Sequence, residues 1–161
     1  MFRRVLLAAA ISAAFVSTAS AATISYTARL SGSREIPKTD SKGTGKLDGT
    51  FDTKAKELKY TLTFDGLSGP ATAAHFHGPA NGKQNAGVIA PIGEKNPTSP
   101  VTGTFTLTDD QVKALQSGKI YANVHTAANP GGEIRGQLRP LHARKNTSAH
   151  SAAATSAPAA K

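Results

Sequence analysis

Six stretches of the chain alternate apolar and polar residues with a period of two. Ile24, Tyr26, Ala28 and Leu30 are interleaved with Ser25, Thr27 and Arg29, and Leu58, Tyr60, Leu62 and Phe64 with Lys59, Thr61 and Thr63. The same alternation runs through Leu47–Phe51, Val101–Leu107, Ile120–His125 and Glu133–Leu138. Successive side chains on a strand point to opposite faces, so each run has one face for a core and one polar face. That is the pattern of an antiparallel sheet packed on one side. Asp52-Thr53-Lys54-Ala55 lies between two such runs and predicts a hairpin. Near 108 the period changes. Thr108-Asp109-Asp110-Gln111 is a capping box, Val112 and Leu115 stand i, i+3, and Gly118 is a stop signal. One short helix over 109–117 is expected in an otherwise all-β chain built as a sandwich or barrel.

The polar faces carry the candidate chemistry. Only five histidines are present, and two of them, His75 and His77, stand at His-x-His spacing in a strand-like run. Their side chains project from the same face, while Ala74 and Phe76 point the other way. His125 lies on a second strand-like run with Tyr121 and Asn123 on its own face. Three imidazoles without thiolates suit Cu(II) or Zn(II). Glu133 and Arg135 share the polar face of the following run, where they would support an imidazole or pair with each other. The opposing reading makes the histidines loop anchors. The segments after each block, Gly78-Pro79-Ala80-Asn81-Gly82 and Ala127-Ala128-Asn129-Pro130-Gly131-Gly132, are turn chemistry that a ring N–H can pin. His142 and His150 fall at or beyond the end of the patterned region and are read as incidental.

The ends of the chain set its address. Arg3 and Arg4, the apolar run Val5–Val16 and Ala19-Ser20-Ala21 form the three parts of an export signal over residues 1–21. The apolar run is shorter than the roughly 20 residues a membrane span needs, so no membrane insertion is expected after cleavage. From 141 to 161 the composition turns to Ala, Ser and Thr, with no large apolar residue after Leu141, which predicts a disordered tail. Residues 22–140 remain as one domain without cysteine, so its stability comes from packing alone. Lys and Arg number 19 against 10 Asp and Glu, but five of the cations lie in the signal and tail, and the body carries about +4. Scattered lysines and the absence of Trp argue against a nucleic-acid partner. No Gly-x-Ser-x-Gly elbow, cysteine nucleophile or phosphate loop is present, so catalysis by these routes is not expected.

Ala73-Ala74-His75-Phe76-His77-Gly78-Pro79-Ala80 and the long block Gly118–Leu138, containing Asn123-Val124-His125-Thr126-Ala127-Ala128-Asn129-Pro130-Gly131-Gly132-Glu133-Ile134-Arg135-Gly136, resemble the CHRD domain, named after chordin. The resemblance runs from Ile24 to Leu138. It implies an all-β, extracytoplasmic domain. In bacteria such domains look like stand-alone exported proteins, and in chordin they are modules of a larger protein that binds growth factors. It brings no shared chemistry. The His-x-His strand is also similar to the copper strand of copper-zinc superoxide dismutase, although no disulfide or zinc loop accompanies it. The expected fold is therefore an Ig-like or superoxide-dismutase-like Greek-key β-sandwich. Three functions follow in order: a periplasmic or secreted non-catalytic module binding a protein or envelope polymer; a copper, or less readily zinc, protein using His75, His77 and His125; and a superoxide-dismutase-like redox enzyme.

Overall fold

The alternating runs become strands. The computed structural model describes residues 22–141, in the order β1 (Thr23–Ser31), β2 (Thr44–Asp52), β3 (Glu57–Asp65), β4 (Ala71–His77), β5 (Val88–Pro91), β6 (Val101–Thr106), α1 (Asp109–Gln116), β7 (Tyr121–Thr126), β8 (Ile134–Gln137) and β9 (Arg139–Pro140). A single 3-10 turn, Gly32–Arg34, follows β1. The expected export signal and all of the expected tail after Leu141 lie outside the described residues. Among the described residues no helix is long and apolar enough to cross a membrane.

β1, β2 and β3 pair in unbroken antiparallel register, from Thr23↔Asp52 to Ser31↔Thr44 and from Thr44↔Asp65 to Asp52↔Glu57. The hairpin expected at 52–55 is present. Asp52 Oδ1 accepts from the backbone N–H groups of Lys54 and Ala55 at 2.8 Å each, an Asx turn that sets the strand register. The helix is also where the capping box puts it. Thr108 Oγ1 accepts from Gln111 N at 3.3 Å, and Gln111 Oε1 accepts from Thr108 N at 2.9 Å. Gly118, at φ +65°, turns the chain out of the helix.

The strands form one sheet in the order β5-β4-β7-β8-β1-β2-β3-β6, with β9 added to β1. Every pairing is antiparallel, and the sheet curls into a nearly closed, barrel-like form. The all-β expectation holds. The two separate sheets of a Greek-key sandwich are not what the pairing draws, because the single pair Ser31↔Arg135 carries the sheet from β8 across to β1.

The inner face collects the apolar half of each run: Tyr26, Ala28 and Leu30 from β1, Leu58 and Leu62 from β3, and Val124 from β7 are buried. Phe76 lies at the centre, edge-on to Tyr60 at 5.1 Å and stacked on Phe105 at 5.2 Å. It therefore ties the histidine strand β4 to β3 and β6 on the far side. β7 and β8 depart from the period-two pattern, with Ile134, Arg135 and Gly136 of β8 all buried. All six residues of β7 are buried, on both faces. Its polar face is roofed by the 32–43 segment, the 78–87 loop and the 127–132 loop, which are held down by side-chain hydrogen bonds.

Phe76→Ala should destabilise the fold by about 3–5 kcal/mol, the usual cost of emptying a central aromatic site. Val88→Ala, at a position 55% exposed on edge strand β5, should cost about 0.5 kcal/mol or less. Urea unfolding followed by circular dichroism measures both.

Candidate functional site

The register of β4 against β7 decides where the three histidines meet. His77 lies opposite Tyr121, His75 opposite Asn123, and Ala73 opposite His125. His75 and His125 are thus diagonal neighbours on the same face, within reach of each other. Their ring centroids are 4.9 Å apart, and His77 is 5.8 Å from His75 and 6.1 Å from His125. One ring nitrogen from each residue lies within 4.8 Å of the other two. His77 and His125 are buried and His75 is half-buried, so the cluster reaches solvent on the His75 side.

The hydrogen bonds settle the tautomers. A carbonyl oxygen only accepts, so His77 Nδ1–H donates to Ala86 O and His125 Nδ1–H donates to Pro130 O, each at 3.0 Å. Both Nε2 atoms therefore carry lone pairs. His125 Nε2 accepts from His75 Nδ1–H at 3.0 Å. His77 Nε2 is buried and has no partner. Such an orphan costs about 1–3 kcal/mol when nothing fills it. Burial pushes the pKa of all three rings down; the neighbouring His125 adds to this at His75, and the carbonyls of Ala86 and Pro130 oppose it at His77 and His125. All three imidazoles are neutral at neutral pH, the form that ligates a metal. Two imidazole nitrogens on one metal at roughly 2.0–2.1 Å are at most about 4.2 Å apart, so nitrogens spread over as much as 4.8 Å must draw together for all three to hold one ion.

Around the rings stands a stack. The phenol of Tyr121 lies on His77 at 4.8 Å with 4° between planes, and the Arg135 guanidinium lies 3.5 Å over the other ring, that of Tyr121. Tyr121 Oη also bonds the Ala86 backbone, accepting from N at 3.1 Å and donating to O at 3.3 Å. Arg135 donates to Asn85 Oδ1, Gln84 O and Asn81 O. It thereby holds the loop whose Ala86 carbonyl fixes His77. Arg135 supports an imidazole indirectly, through Tyr121 and this loop.

Glu133 does something different from the support expected of it. Its hydrogen bonds go to neither an imidazole nor Arg135. Oε1 accepts from Ser41 Oγ at 2.6 Å and Ser68 N at 2.7 Å; Oε2 accepts from Ser68 Oγ and Thr126 Oγ1 at 2.5 Å and Asn129 Nδ2 at 3.1 Å. The side chain is fully buried and forms no ion pair among the described residues. Burial pushes its pKa up, but the donors from Ser41, Ser68 and Thr126 outweigh it and hold the group at about 2. Its contribution to the site is to clamp the loops on either side of His125. The carboxylate that does face Arg135 is Glu35, which sequence reading passed over because it sits in an unpatterned polar loop. Glu35 is 6% exposed and accepts from Asn123 Nδ2 at 2.6 Å. Burial raises its pKa to about 7, against the charge of Arg135 and the Ile36 N–H, which pull it down. Gly132, at φ +133°, leaves room for this pair, since a Cβ there would strike Asn123 and Glu35.

The CHRD domain family model matches residues 26–138. No curated protein and no solved structure matches the chain.

Two outcomes are expected. In the metal-free protein, long-range proton–nitrogen NMR should find His77 and His125 with the proton on Nδ1; a proton on Nε2 of either ring would contradict the hydrogen-bond assignment. For Glu133, a folded pKa below the unfolded one stabilises the fold above the unfolded value and is lost as pH falls. From 4.5 down to about 2 the wild type should lose about 3 kcal/mol. Glu133→Gln should be less stable at neutral pH by a similar amount and lack that part of the acid dependence, as read from thermal melts.

Proposed function

The chain belongs to the CHRD domain family, and from that premise we propose that it is an exported, non-catalytic binding module that takes up one transition-metal ion, copper in preference to zinc. The observation that carries this is the buried, unpartnered Nε2 of His77, on a ring 5.8 and 6.1 Å from two others that are already joined by a hydrogen bond. Main-chain carbonyls hold both buried rings in the tautomer that leaves Nε2 free, the arrangement found around metal-ligating histidines. His75 is the adaptable member. Its Nδ1 gives up the proton it shares with His125 Nε2, the proton moves to its own Nε2, and the ring joins as third ligand. All-nitrogen sites favour Cu(II) over Zn(II) by the general stability order of divalent ions. Export is supported by the signal pattern of residues 1–21.

A second reading has its own support. The same two carbonyl contacts pin the 78–87 and 127–132 loops, so the histidines also serve as loop anchors. Calorimetric titration separates the two roles. Metal-free protein should bind Cu(II) one-to-one at neutral pH and more weakly below about pH 6. His77→Ala and His125→Ala should each lose that binding while keeping most of the metal-free stability, and His142→Ala should keep it. Silence with both Cu(II) and Zn(II) in wild type, together with a large stability loss in the alanine variants, would leave anchoring alone.

A further inference from the structure

The arginines of the body are not spread over its surface. All four among the described residues, Arg29 on β1, Arg34 on the 3-10 turn, Arg135 on β8 and Arg139 on β9, line one cavity of about 810 Å³, joined by Lys38 and by Lys83 of the 78–87 loop. This is separate from the histidine cluster, none of whose members lines it. Glu35 is the single carboxylate in the lining. None of the six cations is in an ion pair among the described residues, where the pairs are Lys46–Asp48, Lys56–Asp109 and Lys113–Asp110. Five of the six are exposed, and Arg135 is a buried, fixed charge at the floor, 1% exposed and held by three oxygen acceptors. Like charges gathered in a concave, partly desolvated wall repel one another unless an anion sits among them.

We propose that this cleft binds an acidic polysaccharide. The charges stand on four different chain segments around a cavity too large for one small oxyanion to touch them all. A chain with a negative group on each sugar meets them in succession. Arg, rather than Lys, supplies most of them, which suits fork-like bonding to carboxylate and sulfate oxygens. Ile36 and Pro37 give apolar wall against which the C–H face of a sugar packs. No aromatic ring lines the cleft, so it lacks the stacking platform on which single-stranded nucleic acids depend. None of the three histidines belongs to this cleft, so its test needs no metal.

Titration of the metal-free protein at 0.15 M salt tests it, with heparin as the sulfated probe, polygalacturonate as the carboxylated probe, and dextran, citrate, inorganic phosphate and a single-stranded oligonucleotide as comparisons. Heparin, polygalacturonate or both should bind, dextran should not, and affinity should fall at least tenfold on raising the salt threefold. Arg29→Gln, Lys38→Gln and Lys83→Gln combined should weaken binding at least tenfold. The equally charged control, Lys54→Gln, Lys59→Gln and Lys95→Gln combined, should change it less than twofold. An equal loss in both triples would reduce the effect to net charge and overturn the site. Binding of citrate or phosphate as tight as that of the polymers, a preference for the oligonucleotide, or no polyanion binding at all would each overturn the assignment of its occupant.

Discussion

A buried carboxylate, met by neutral hydrogen-bond donors, holds the outer half of this molecule together. Glu133 is solvated by Ser41, Ser68, Thr126 and Asn129 in place of water, with five hydrogen bonds to its two oxygens. The donors come from three stretches of chain, at Ser41, at Ser68 and at Thr126 with Asn129. Its backbone carbonyl takes a further bond from Thr39 Oγ1 at 2.8 Å. An ionised group in such a place is costly unless every lone pair is met. Meeting them requires the 39–43, 66–68 and 126–129 segments to be where they are. The loops in turn roof the polar face of β7, and that roof is what buries His77 and His125.

The molecule thus has two interiors back to back on the same strands. The inner one is apolar and centred on Phe76, packed by the alternating residues of every strand. The outer one is polar, and directed bonds hold its members: Glu133 by hydroxyls and amides, Arg135 by loop carbonyls and an amide, His77 and His125 by carbonyls at Nδ1, with His77 Nε2 left unpartnered. Networks of this kind specify one arrangement, because a displaced member leaves its partner unpaired. Strand β4 carries Phe76 into the first interior and His75 and His77 into the second, so the rigidity of the core is passed directly to the cluster.

Arg135 joins the two binding proposals. It is the floor of the cationic cleft, the stacking partner of Tyr121 and the holder of the loop that fixes His77. Glu35 on the same wall stands where burial opposes the pull of that guanidinium, so its charge is finely balanced near neutrality. One buried cation therefore serves the electrostatics of the cleft and the geometry of the imidazoles.

Local rules carried much of this in the sequence alone. Period two marked the core face of β1, β3 and β6, Asp52 the hairpin, and Thr108 with Gln111 the helix, because each depends on neighbours a few residues away. The His-x-His spacing likewise ensured that His75 and His77 would share a face. What the sequence by itself left open was everything that depends on register and on loops. Whether His125 meets the pair turns on a two-residue diagonal between β4 and β7. The joining of all strands in one curled sheet turns on the link from β8 to β1. Ser41 and Ser68 reach Glu133 from 92 and 65 residues away, Glu35 meets Asn123 across 88, and Arg29 and Arg34 meet Arg135 and Arg139 from the other end of the domain, with no periodicity to announce them. Tertiary structure decided these, because a buried polar group takes its partners from whichever loop the fold closes over it, and that choice leaves no local pattern.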